Sequence, residues 1–236
     1  YVARGDWLAY TDDDCQAQPD WLVRLVDRAT ETGADVVQGH TIPDPERAHL
    51  LTQPWVRSIS AETLNDYFHT CNVLYRRSLF EQLDGFDESF RLACDDTDLG
   101  WRAVEAGAEV SFADEAVVAH DVVVRDFLTE LRSRKRWAGT VLVVRRHPKA
   151  RRLAWKPYIY RRSHAPVLAV FGSAPLLLFR RTRRLWVLGV LGLLASDVAR
   201  ARTPARAVLA LQRRATDAYE IGVLAKESAR QRTLLL

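Results

Sequence analysis

Charge divides this chain more sharply than any other feature, and the division limits what it can fold into. Residues 1–120 hold 9 Arg and Lys against 23 Asp and Glu, a net of −14, while residues 121–236 hold 25 against 7, a net of +18. A split of that size predicts two regions with different surroundings. The acidic half suits metal binding; the arginine-rich half, with its apolar runs, suits an anionic membrane surface or nucleic acid. A length of 236 residues with 48% hydrophobic content allows one large domain or a domain with an appendage. The chain starts at Tyr1, contains no methionine, and reads from the outset as interior sequence, so the expectation is a fragment that lacks an N-terminal part. Three widely spaced cysteines (Cys15, Cys71, Cys94) without a Cys-x-x-Cys predict a reduced, cytosolic setting.

Within the acidic half, short apolar runs alternate with segments of helical period, which predicts an α/β sandwich. Residues 7–11 read as a strand that ends in Asp12-Asp13-Asp14. Pro19 is expected at the first position of a helix that carries Trp21, Leu22, Leu25 and Val26 and ends near Gly33. A strand follows over 34–40, then a weakly patterned helix over 46–66, a strand over 68–75 and a short helix over 77–84. Asp95 opens a helix that stops at Gly107, and residues 110–113 and 116–120 read as two short strands.

Three adjacent carboxylates repel one another, and a divalent cation removes that penalty because hard oxygen ligands suit Mg²⁺ or Mn²⁺. Taken alone, a solvated acidic turn capping the next helix explains them equally well. A second cluster, Asp95, Asp96 and Asp98, crowds the start of a helix about eighty residues on, where the helix dipole favours carboxylates. The Asp12–Asp14 loop, Thr70-Cys-Asn72, the Asp95–Arg102 segment and His120 all fall at strand ends or helix starts, where α/β sheets build their sites. Cys94 is no candidate nucleophile: its acidic neighbours raise the thiol pKa, and no histidine lies near it in sequence.

These residues carry a resemblance. Asp12-Asp-Asp14-Cys-x-x-x-Pro-Asp-Trp21 resembles the metal-binding acidic motif of family 2 glycosyltransferases with the GT-A fold. Asn72-Val-Leu-Tyr-Arg-Arg-Ser-Leu-Phe-Glu81, followed by Gly85-Phe-Asp-Glu88, is similar to that family's acceptor-side segment. Asp95-Asp96-x-Asp98-Leu-x-x-Arg102 resembles its acidic helix start, and Ala116-Val-Val-Ala-His120 the strand that ends in a metal-contacting histidine. The resemblance covers residues 3–147. It implies a GT-A-type mixed-sheet α/β/α sandwich over 1–147, incomplete at its N-terminus, followed by a helical, apolar and basic region over 148–236.

The resemblance also implies a site. Asp14, His120 and Asp12 would hold the metal, with Asp14 its most direct ligand, and Asp12 and Asp13 would lie close to the metal or to the ribose and sugar of a nucleotide diphosphate sugar. Asp96 would be the general base, and Asn72, Asp95, Trp101 and Arg102 would contact donor or acceptor. Two departures are visible: Asp84 stands where the pattern has the first of two glycines, and Ser133-x-x-Arg136-Trp137 replaces Gln-x-x-Arg-Trp. The second argues for transfer of one sugar or a few over a cellulose- or hyaluronan-type polymerising enzyme.

In the basic half, a helix is expected over 124–146, apolar runs over 165–179 and 185–195 with Arg180–Arg184 between them, and a helix from Pro204 to 230. Neither run reaches the roughly 18–20 residues of a simple membrane span, so two short spans or two interfacial helices are both open. The function expected is inverting, Mg²⁺- or Mn²⁺-dependent transfer of a sugar to a glycan or lipid-linked acceptor at the cytoplasmic face of the cell membrane. The alternatives are a non-catalytic scaffold of the same fold at a membrane and a metal-dependent nucleotide-sugar hydrolase. Nucleic acid is disfavoured because the basic tail lacks interleaved aromatics.

Overall fold

The computed structural model describes residues 3–236; Tyr1 and Val2, with which the expected catalytic domain begins, lie outside them. The chain divides into two compact units, one ending at Arg125 and one running Asp126–Leu236. This division falls ahead of the boundary at 147 expected from the sequence.

The first unit is built on strands β1 (Trp7–Tyr10), β2 (Cys15–Ala17) and β3 (Val36–Pro43), with helix α1 (Trp21–Thr32) between the last two. The two-residue strand β4 (Val56–Arg57) and β5 (Val73–Arg76) follow, then α2 (Arg77–Gln82), α3 (Asp95–Glu105), β6 (Val110–His120) and β7 (Val123–Val124). Five of the strands form one mixed sheet in the order β1-β5-β3-β6-β2, parallel only between β3 and β6, and β4 pairs with β7. Alternation along each strand sends neighbouring residues to opposite faces. Val36, Val73 and Tyr75 pack with Leu79 and Phe80 of α2 and Leu99 and Ala103 of α3, whereas Val37, Leu74 and Ala113 pack with Leu25 and Ala29 of α1. Helices thus cover both faces, as the α/β/α expectation requires.

Several local readings change. The backbone N–H of Trp21 bonds to the Gln18 carbonyl, so Pro19 and Asp20 form a turn and α1 starts at Trp21. Residues 46–66 are not a helix: a 3₁₀ turn spans Ala48–Thr52, and Pro54 and a left-handed Trp55 (φ 59°) lead into β4. The two strands expected over 110–120 are one strand with a bulge, because Gly39 pairs with Ala113 but His40 pairs with Val117. The turn after α2 forms with Asp84 at φ 59° and Gly85 at φ 65°, and aspartate tolerates the left-handed region where the family pattern has glycine.

The second unit is helical: α4 (Phe127–Ser133), α5 (Ala138–Arg146), α6 (His164–Gly172), α7 (Arg180–Arg200) and α8 (Pro204–Gln231). The single helix expected over 124–146 is broken by a 3₁₀ turn at Arg134–Trp137, where Arg134 reaches the fully buried Glu220 at 2.7 Å. Arg161 meets the other oxygen of that carboxylate at 2.7 Å. Arg180–Arg184 form the first turn of α7, and the break in the apolar run falls earlier, at a 3₁₀ turn over Ala174–Leu178 that Pro175 opens. Thr203 caps α8 by accepting from the N–H of Arg206, with Pro204 at its first position as expected.

Candidate active site

β1 delivers the chain to the Asp12–Asp14 loop, which closes by a bond from the Cys15 N–H to the Asp12 carbonyl (3.2 Å). The short strand β2 then pairs antiparallel with the end of β6, setting Cys15 opposite His120. The N–H of Asp121 donates to the Asp14 carbonyl at 2.9 Å and locks that register. His120 Nε2 consequently lies 3.7 Å from Asp14 Oδ1, and ligand atoms of Asp14, Cys15 and His120 all fall within 4.8 Å of one another. His120 is buried and its Nδ1 lies 2.9 Å from the Asp121 carbonyl. A carbonyl only accepts, so Nδ1 carries the hydrogen and the Nε2 lone pair is left for a metal, the outer-shell arrangement that ligating histidines use. Asp13 is exposed, on the solvent side of the same loop.

The second cluster converges on the first. Asp12 is half-buried; burial pushes its carboxyl above the ordinary range, a hydrogen bond from Thr70 opposes this, and the charges of Asp14 and Asp96 push it further up while His120 lowers it. Asp95 is raised in the same way, by burial first and then by Asp96 and Asp12. Asp95 and Asp96 belong to the first turn of α3, whose N-cap Cys94 holds a left-handed φ of 76°. Asp96 Oδ1 accepts from the Thr97 N–H at 2.7 Å, which points its other oxygen elsewhere: Oδ2 lies 3.7 Å from His69 Nδ1. The sequence expectation that Asp12, Asp14, Asp95, Asp96 and His120 share one region therefore matches their positions.

Three residues expected to contact donor or acceptor are built into the framework instead. The Asn72 amide is buried, donates to the His40 and Ala116 carbonyls at 2.9 and 2.8 Å, and accepts from Trp21 Nε1 at 2.7 Å. It fills the bulge between β3 and β6, where the ladder leaves carbonyls unpaired. Trp101 is only 2% exposed, too enclosed to stack on a sugar. Arg102 bonds Asp98 at 2.8 Å and the Leu83 and Gly85 carbonyls at 2.6 and 2.7 Å, clamping the turn after α2 to α3.

Sequence reasoning gave Cys15 no role and named Thr70 only as part of the Thr70-Cys-Asn72 segment. Strand pairing with β6 brings Cys15 to His120, and only the fold reveals it. The Cys71 thiol donates to Cys15, which lowers the Cys15 pKa and, with burial, pushes Cys71 up. Both are free thiols.

Residues 7–198 match the model of glycosyl transferase family group 2. The chain belongs to that family. The succinoglycan biosynthesis protein ExoM of Rhizobium meliloti (strain 1021) is 36% identical over 135 residues, covering 50% of this chain and 40% of that protein. The mannosyltransferase PcManGT of Pyrobaculum calidifontis, solved with GDP-Man and Mn²⁺, superposes with a TM-score of 0.51 at 18% identity, over 95% of this chain and 63% of that one. That likeness is one of fold, and it agrees with the GT-A-type sandwich. The chain thus spans less than two thirds of the length of either relative.

Proposed function

We propose that this chain is the catalytic part of an inverting glycosyltransferase that moves a sugar from a nucleotide diphosphate sugar to a hydroxyl of a glycan or lipid-linked acceptor. The observation that carries the reading is the convergence of the Asp12–Asp14 loop, His120 and the Asp95–Asp96 pair. Carboxylate oxygens and a neutral imidazole are donors that Mg²⁺ and Mn²⁺ accept, and the spacing of Asp14 and His120 fits a shared ion. Asp14 and His120 would hold it, with Asp12 beside them. Such an ion supplies charge neutralisation on the departing nucleoside diphosphate. Asp96 takes the proton of the acceptor hydroxyl as that oxygen bonds to the anomeric carbon, and the bond from that carbon to the diphosphate breaks. Attack from the face opposite the leaving group inverts the centre. The name of the Rhizobium relative supports a cell-envelope glycan as the product class.

The second unit supports work at the cytoplasmic face of a membrane. Between Glu130 and Asp197 the sequence holds sixteen Arg and Lys and no Asp or Glu. Leu178 (82% exposed), Phe179, Leu185 and Leu188 lie uncovered within that stretch. Among the described residues no helix is long and apolar enough to cross a membrane. An interfacial arrangement needs no such length, only apolar side chains beside cations that face anionic headgroups.

The test uses full-length protein with UDP-glucose, UDP-galactose, UDP-N-acetylglucosamine and GDP-mannose, each with octyl β-D-glucopyranoside or octyl β-D-galactopyranoside. At least one pair should release nucleoside diphosphate in an acceptor-dependent way, and EDTA should stop it until Mn²⁺ is restored. Release that is equally fast without acceptor would instead make the protein a hydrolase.

A further inference from the structure

Phe68 is a bulky aromatic residue held at φ 53°, a left-handed conformation that such residues rarely adopt. It is buried against Gly100 of α3 so closely that a Cβ on that glycine would stand 2.0 Å from Phe68 Cγ. One residue earlier, the Tyr67 carbonyl accepts from the Thr97 hydroxyl at 2.9 Å. The segment is therefore clamped to the start of α3 at two points. Strained backbone of this kind persists only where its surroundings over-determine it, and it concentrates at functional sites.

The clamp has a specific product. With Phe68 turned inward, the rings of Tyr67 and His69 stack in parallel, their centroids 5.3 Å apart and their planes within 6°. Both are partly exposed. His69 Nδ1 sits 3.7 Å from Asp96 Oδ2, the oxygen opposite the one that bonds to Thr97. The next residue, Thr70, donates to Asp12. Successive residues of one segment thus reach the base and the metal loop, and the stacked rings lie at the base end.

We infer that the Tyr67–His69 stack is the wall of the acceptor site, and that His69 is a positioning residue for Asp96. This rests on the proposed role of Asp96 as base. A stacked aromatic pair offers a flat surface to the C–H face of a sugar, and it is rigid because each ring limits the other. At 3.7 Å the His69–Asp96 contact is longer than a hydrogen bond, and a slight rotation of either side chain closes it. An Nδ1–H in that position holds Oδ2 toward the acceptor hydroxyl. The proton leaves the acceptor oxygen for Oδ2, and His69 neither gains nor loses one.

The experiment compares wild type, His69→Phe, Tyr67→Leu, Tyr67→Phe and Asp96→Asn in the full-length protein, using the donor panel with Mn²⁺ and the two octyl glycosides. His69→Phe keeps a flat ring and removes the N–H; it should lower kcat about tenfold while the acceptor KM stays within twofold. Tyr67→Leu should raise the acceptor KM about fivefold, with Tyr67→Phe near wild type and donor KM unchanged in both. A histidine-selective NMR spectrum with UDP and Mg²⁺ gives a readout independent of turnover: the His69 ring signal should move when an octyl glycoside is added. Wild-type kcat in His69→Phe, equal acceptor KM in the two Tyr67 variants, or a static His69 signal with both glycosides overturns the inference. If Asp96→Asn is inactive while the His69 and Tyr67 variants behave as wild type, only this inference fails. If Asp96→Asn itself turns over normally, the assignment of the base fails with it.

Discussion

Asn72 and His120 show how differently two polar residues of one sheet can be used. His120 has one nitrogen committed to a backbone carbonyl, and in the proposed site the other serves the metal. Asn72 has its amide committed on every side, to His40, Ala116 and Trp21. Replacing it by alanine leaves two buried carbonyls and an indole N–H without partners. Asn72→Ala should lose about 2–4 kcal/mol of unfolding free energy, measured by urea denaturation. If Asn72 were a binding residue, the same change would leave stability intact and raise a substrate KM. Sequence placed Asn72 in this neighbourhood but could not name its partners, which lie 32 and 44 residues away along the chain.

At the scale of elements, α3 is the part on which the site depends. It presents Asp95 and Asp96 from its first turn, and Gly100 allows Phe68 to pack against it. Gly100→Ala puts a methyl into the ring of Phe68, with no flexible side-chain end to yield. Overpacking of that kind destabilises by about 1–3 kcal/mol, and turnover should fall further than stability because His69 shifts with Phe68. A variant with unchanged melting temperature and rate would contradict this packing. Strands β1, β3 and β5 and helix α3 were legible because short apolar runs and an acidic helix start are local signals. β2 was not, since three residues become a strand only by pairing with β6. The helix expected over 46–66 failed because its weak pattern carried no stabilising face, and Pro54 keeps the 3₁₀ turn at Ala48–Thr52 from continuing as a helix. The break in the 124–146 helix lay beyond local reading, because the partner of Arg134 is Glu220.

The opposed charges fall in different units of the chain, and each unit has its own response to conditions. In the helical unit His164 is fully buried, and burial lowers its pKa below 6.5 even though Glu220 Oε1 lies 3.6 Å away. Burial wins because Glu220 is already neutralised by Arg134 and Arg161. With the folded pKa depressed, the unfolded chain binds more protons between the two values, so this unit's stability is complete above pH 6.5 and falls as pH drops through the window below it. Denaturation at pH 5 to 8 should show that loss, and His164→Phe should flatten it. The same unit should sediment with vesicles containing phosphatidylserine, less so as salt rises, and Phe179→Ser should weaken it. Equal sedimentation with neutral vesicles at every salt concentration would remove the electrostatic part of the membrane reading.

In the proposed mechanism two acidic clusters eighty residues apart form one site, in which the Asp14 side binds and the Asp96 side deprotonates. Asp96→Asn in the full-length protein tests it most directly, with Mn²⁺ and donor binding followed by calorimetry beside acceptor-dependent release of nucleoside diphosphate. Binding should stay within about twofold of wild type and the rate should fall at least 100-fold, the lower bound for a lost general base. Wild-type turnover in Asp96→Asn would contradict it.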